Sequence, residues 1–175
     1  NYIKMIPFNA IIKRNDFYIS TPINDYVLTL TNIDIINIIQ NSAKKYVIIV
    51  KINENNDKQI LSKIERSSQD VVINNNNKWF KNNLEYQDII DNYLTCFNEQ
   101  NNTLEIVLHK DYFPTLDGYV DIEDLIKNQK TNCLKNITIK LIGIYIKNNS
   151  FYIRWLVRNI EKIENDTNEL ENIDE

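Results

Sequence analysis

An α+β fold in which antiparallel strands outnumber helices is what this sequence predicts, and three observations carry that expectation. The first is the stretch from Asn136 to Ile163, where two arms of alternating polarity, 136–147 and 151–163, flank Asn148-Asn149-Ser150. Such an arrangement is the signature of a β-hairpin. The second is a pair of short β-prone runs, Lys45 to Ile52 (KYVIIVKI) and Thr103 to His109. The third is the apolar stripe of Leu84, Ile89, Ile90, Tyr93, Leu94 and Phe97, whose spacing predicts a helix over 84–97.

The remaining elements follow in chain order. Residues 8–13 and 17–19 flank Arg14-Asn15-Asp16 and predict a second hairpin. Tyr26 to Leu30 predicts a strand, and the spacing of Ile33, Ile36 and Ile39 or Ile38 predicts a short helix over 32–41, although isoleucine prefers strands. The apolar centre of 45–52 predicts a strand buried on both faces. Ile60, Leu61 and Ile64 predict a helix over 58–66. Asn74 to Asn77 predicts a loop, since asparagine tolerates turn conformations. Asn82 or Asn83 is expected to cap the helix over 84–97. Pro114 and Gly118 predict a turn, and Asp121 a cap for a short helix through Ile122, Leu125 and Ile126.

The chain has 175 residues, a length for one domain. Hydrophobic residues make up 43%, enough for a sizeable core, yet no run of about 18 apolar residues marks a membrane span. It begins at Asn1, as a fragment or processed chain would, and shows no targeting signal. Asparagine and isoleucine together supply roughly a third of the residues, a bias that A/T-rich codons explain. The sequons at Asn101, Asn136, Asn148 and Asn165 are read as chance products of that bias. Cys96 and Cys133 belong to no CxxC pair and read as reduced core residues, which favours an intracellular setting.

The net charge of −4 is unevenly spread. Residues 164–175 hold six acids and no base, so the body keeps eighteen acids against twenty bases. The organisation expected is a domain over 1–163 followed by a flexible, disordered acidic tail over 164–175.

Most catalytic constellations lack their residues here, and a non-catalytic protein without cofactor or metal is expected. Gly118 and Gly143 are the two glycines, so neither a P-loop nor a dinucleotide fingerprint exists. His109 is the one histidine and sits at a strand end without a nucleophile motif. Asp111, Asp117, Asp121, Glu123 and Asp124 cluster without EF-hand spacing and read as capping and solvated acids.

What remains is a binding surface. Along the second hairpin arm, Phe151, Ile153, Trp155 and Val157 share one face, and Tyr152, Arg154, Leu156 and Arg158 the other. Along the first arm the polarity pattern slips after Gly143, and a bulge there restores one apolar face. Lys140, Tyr145, Lys147, Tyr152, Arg154 and Arg158 then lie on a common outer face. Rings that stack bases, with cations that follow phosphates, suit single-stranded nucleic acid. The bland alternative is a solvated sheet face whose aromatic pairs serve stability. Lys78-Trp79-Phe80-Lys81 is a second basic and aromatic cluster, offering Trp79 and Lys81 as contacts or, structurally, a staple for the following helix.

The segment NITIKLIGIYIKNNSFYIRWLVRNIEKI (136–163) resembles the closing hairpin of the single-stranded DNA-binding proteins of large eukaryotic DNA viruses, poxvirus relatives among them. KWFKNNLEYQDIIDNYLTCF (78–97) and the strand entry at Asn102-Thr103-Leu104 fit the same resemblance, which covers the second half of the chain. It implies an antiparallel β-barrel of OB-like type with inserted helices. It further implies single-stranded DNA as partner in replication, recombination or repair, replication proteins recruited through the acidic tail, and a location in the host cytoplasm or nucleus. No membrane partner is expected, and a homo-oligomer fits the reading. Two alternatives stand beside it: a virion or assembly protein acting through protein contacts, and a metal-dependent nuclease using the acidic cluster.

Overall fold

A computed structural model describes residues 6–80, 82, 84–113, 122–127 and 135–162. These residues form eight strands: β1 (Ile12–Arg14), β2 (Phe17–Ser20), β3 (Val27–Gln40), β4 (Lys45–Lys51), β5 (Phe97–Asn98), β6 (Thr103–His109), β7 (Lys135–Lys147) and β8 (Ser150–Lys162). Four α-helices accompany them, α1 (Asn55–Asn74), α2 (Asn76–Trp79), α3 (Tyr86–Asp91) and α4 (Ile122–Lys127), with one short 3-10 helix at Lys110–Tyr112. The α+β expectation holds. The tail over 164–175, Cys133 and the Pro114/Gly118 turn lie outside the described residues.

The strands pair in a ring. β3 gives its first half to β7 and its second half to β4, β4 pairs β6, and β7 pairs β8, all antiparallel. The circuit closes where β6 meets β8 in parallel at one register pair, Val107 with Leu156. β1 and β2 form the expected N-terminal hairpin and extend the sheet beyond β7, while β5 pairs β6.

Inside the ring, alternate residues of each strand point to one core. Leu30, Ile33, Ile48, Val50, Leu104, Ile106, Leu108, Ile137, Ile139, Leu141, Ile153 and Trp155 are all buried there. Fully burying one such aliphatic side chain stabilises by about 1.5–3 kcal/mol, so this layer dominates the energetics. Leu61, Ile64, Val71 and Val72 of α1 join the same cluster. With the buried Ser68 between them, a three- and four-residue spacing continues past residue 66, which is why α1 outruns the expected helix.

Asparagine does here what glycine does in most chains. Asn32, Asn102, Asn148 and Asn149 hold left-handed backbone, a conformation its short polar side chain tolerates. Asn148 and Asn149 make the two-residue turn that fixes the β7–β8 register.

Four expectations are corrected. Residues 32–41 are not helical: 32–40 belong to β3. Its register shifts between Leu30 and Ile33 and again between Ile35 and Asn37. A bulge adds one residue to a period of two, so the buried pair Leu30 and Ile33 imitates helical spacing. The helix expected over 84–97 is cut to α3, capped by Glu85 without a side-chain bond rather than by Asn82 or Asn83. Tyr93 leaves it to bridge Phe151, and Phe97 enters β5. The asparagine run 74–77 is no free loop: it ends α1 and starts α2. There the buried Asn76 bonds Leu84 in both directions, Nδ2 to its carbonyl at 2.5 Å and Oδ1 from its amide at 3.0 Å. Finally, β4 buries one face, with Tyr46, Ile48 and Val50, while Val47 and Ile49 are half-exposed.

Candidate nucleic-acid interface

The outer face of the β7–β8 hairpin is built by alternation and two bulges. On β8, Phe151, Ile153, Trp155 and Val157 are buried, and Tyr152, Arg154, Leu156 and Arg158 face outward. On β7 the register shifts between Leu141 and Gly143, where the sequence called for a bulge. Glycine is required at 143 because β2 crosses against it: a Cβ would collide with the Ser20 carbonyl oxygen. The bulge returns Tyr145 to the outer face, directly opposite Tyr152.

Those two rings stack at 5.5 Å with 9° between planes. The Arg154 guanidinium lies 5.2 Å from both ring centroids, a cation–π arrangement. Phe17 of β2 lengthens the ladder, stacking on Tyr145 at 5.2 Å. Phe17 was missed in the sequence because its place depends on β2 docking beside β7, a long-range pairing that no local pattern reveals. Burial raises the Tyr145 phenol above its ordinary pKa, and the Arg154 charge partly reverses the shift.

The surrounding cations differ in how far they are committed. Lys147 pairs Asp16 at 2.7 Å, a bond that holds the carboxyl below and the ammonium above their ordinary ranges. Lys140 pairs Asp25 at 2.9 Å. Arg158 is the extra residue of a second bulge, between the pairs Thr138–Asn159 and Ile139–Val157. It is exposed and has no ion pair among the described residues.

The sequence-derived site therefore divides. Tyr145, Tyr152 and Arg154 form one contiguous group, with Lys147 and Arg158 at its two ends and Lys140 opposite Leu156. Trp79 is not in this group. It is half-buried against the core and lines another cleft, of about 530 Å³, with Tyr18, Phe80 and Lys147. Phe80 meets the buried Phe151 edge-on at 5.7 Å, so the 78–80 segment is largely an anchor. Lys81 lies outside the described residues.

A second cleft, of about 340 Å³, opens beside the ladder at the β6–β8 seam. Tyr152 and Arg154 form one wall, Val47, Glu105 and Val107 the other, and Leu94 to Cys96 close an end. The composition of this cleft was not legible in the sequence.

One polar cluster was overlooked. Glu65 sits in the apolar stripe of α1 and is 6% exposed. Its carboxylate accepts from the Tyr93 hydroxyl at 2.7 Å, the Cys96 and Phe97 amides at 2.9 and 3.0 Å, and the Cys96 thiol at 3.0 Å. Burial, reinforced by Glu65, raises the Tyr93 hydroxyl and the Cys96 thiol well above their usual pKa. The signal was an acid on the Leu61-Glu65-Ser68-Val72 face. Cys96 is a free thiol.

The other polar candidates have structural partners. His109 Nδ1 accepts from the Asp111 amide at 3.2 Å, Asp111 pairs Lys44 at 3.0 Å, and Glu123 pairs Lys110 at 3.3 Å. Asp117 and Asp121 lie outside the described residues. Among those described, no three His, Cys, Asp or Glu side chains group as a metal site, and no helix is long and apolar enough to cross a membrane.

No protein-family model matches the chain, and neither a curated protein nor a solved structure matches it.

Proposed function

We propose that this chain is a non-catalytic, single-stranded DNA-binding protein whose strand ring is of OB type. The observation that carries the reading is the outward ladder of Phe17, Tyr145 and Tyr152 with Arg154 across it. Aromatic faces stack any base, and an adjacent guanidinium serves both ring and phosphate. The order of pairing supports the barrel type. Taking β3, β4, β6, β7 and β8 as strands one to five, the ring runs 1-2-3-5-4 with strands three and five parallel. OB domains bind oligonucleotides on the face of strands two and three and with the 1–2 and 4–5 loops, here residues 41–44 and 148–149; the ladder lies instead on strands four and five, beside the 4–5 loop.

The test is a fluorescence-polarisation titration with single-stranded DNA, single-stranded RNA and duplex DNA. The expected result is binding to the single strands that weakens steeply with salt, because each phosphate contact releases condensed counterions. Deleting 164–175, with its six acids, is expected to tighten binding. Absence of oligonucleotide binding at low salt, with or without those residues, overturns the proposal.

One observation favours a second reading as an assembly protein. Ile39, Val47, Val107 and Leu156 stand in one register row across four strands and face outward. Ile39 is 44% exposed. A protein partner would bury such a strip. Sedimentation of a defined oligomer indifferent to DNA would support this role over the first.

A further inference from the structure

We infer that the cleft at the β6–β8 seam is a pocket for a single nucleobase, and that Glu105 makes it select amino-bearing bases over thymine. The inference rests on the single-strand reading above and adds to it a site and a preference.

Ile106, Ile153 and Trp155 line the floor of the cleft, each 1% exposed over the whole residue, so the floor is tightly closed. Hydrogen bonding sets which way its main chain faces. Phase along β8 is set by Phe151, whose amide donates to the Asn92 carbonyl and whose carbonyl accepts from Leu94. Backbone direction repeats every two residues, so Ile153 and Trp155 turn their polar groups to the same side. Across the gap, the Glu105 amide already points that way, donating to the Cys96 carbonyl at 3.2 Å.

Both ends of the seam are shut, one by the Val107–Leu156 pairing and the other by the 92–96 segment. An extended strand cannot pass through. A compact planar group with its own donors and acceptors fits instead, and about 340 Å³ lies at the small end of the roughly 300–1,000 Å³ that ligand pockets occupy. The mouth adjoins Tyr152 and Arg154, so a base leaving the ladder enters without breaking the run of stacked neighbours.

Discrimination comes from the wall opposite Arg154. Glu105 is exposed, lines the cleft, and has no side-chain hydrogen bond or ion pair among the described residues. An ionised carboxylate only accepts. Cytosine and adenine offer an exocyclic amino group to it, and guanine an amino group beside a ring N–H. Thymine presents its one N–H between two carbonyl oxygens that the carboxylate repels.

Titrations of equal-length oligo-dC, oligo-dA and oligo-dT at fixed salt test this. The expected result is dC and dA binding about tenfold tighter than dT, the size of one good base contact. Glu105→Gln, which can donate as well as accept, is expected to bring the ratio near one while binding itself persists. Thr95→Trp, placed at the rim to fill the cleft, is expected to do the same. Equal affinity for the three oligomers in the unaltered protein overturns the pocket and leaves the ladder reading intact. A preference that survives both substitutions also overturns it. Loss of all oligonucleotide binding by the unaltered protein removes both.

Discussion

Two regions of this molecule gather aromatic and charged groups, and they do so to opposite ends. Around Glu65, one carboxylate collects four donors from Tyr93, Cys96 and Phe97. On the β7–β8 face, Arg154 has two tyrosine rings beneath it and no carboxylate partner among the described residues, and Arg158 has neither ring nor acid. The first cluster is saturated and buried, the second unsaturated and exposed. A polar group whose valences are all met inside the fold supports architecture. One whose valences face solvent is available to a ligand. That count of unmet valences separates structure from function.

The comparison is broken most forcefully at Glu65. Glu65→Ala leaves two main-chain amides and two side-chain donors without their acceptor, at about 1–3 kcal/mol for each buried group orphaned. The expected loss is about 3 kcal/mol or more in urea unfolding, with oligonucleotide affinity per folded molecule unchanged. Glu65→Gln keeps an acceptor for the Cys96 and Phe97 amides and is expected to lose less than half as much. The ladder predicts the reverse pattern. Tyr152→Ala is expected to cost about 1–3 kcal/mol of single-strand affinity. Its effect on stability should stay within the 0.2–1 kcal/mol or so of a cross-strand pair. If both substitutions act equally on folding and on binding, the division between the two clusters collapses.

Smaller effects sharpen it. Arg158→Ala is expected to lower the salt slope of binding by about 0.7, the contribution of one phosphate contact on a single strand. Lys140→Ala should lower it less, because Asp25 already neutralises that lysine. Asp57, buried with one backbone bond from Thr31 at 3.0 Å, lies between the extremes. Burial outweighs that bond and raises its pKa above the ordinary 3.8. A raised folded-state pKa means that the neutral acid is favoured in the fold. Its contribution is full below 3.8 and is lost as pH climbs through the folded value. Asp57→Asn is therefore expected to gain stability relative to the parent between pH 3 and pH 6, as thermal unfolding would show.

Local pattern revealed what local physics decides. The β7–β8 arms were legible because each alternates over a dozen residues, and Gly143 betrayed its bulge by interrupting that alternation. The ring itself was not legible, since β6 meets β8 across almost fifty residues of chain at one register pair. The helix expected over 84–97 fell short for a tertiary reason. Tyr93 and Phe97 carry helical spacing, but Phe151 and Glu65 offer their backbone and side chains better partners. Likewise, Phe17, Glu65 and Glu105 gained their roles from neighbours distant in sequence.

A circuit that closes through one rung has a preferred place to yield. The β7–β8 arms share twelve register pairs, while the parallel contact between Val107 and Leu156 stands alone. Transient opening concentrates where the fewest bonds must be given up. Deuterium should therefore reach the main-chain amides that face the β6–β8 seam sooner than those bonded between β7 and β8. The molecule would breathe by parting like a clasp, with the rest of the band remaining fastened.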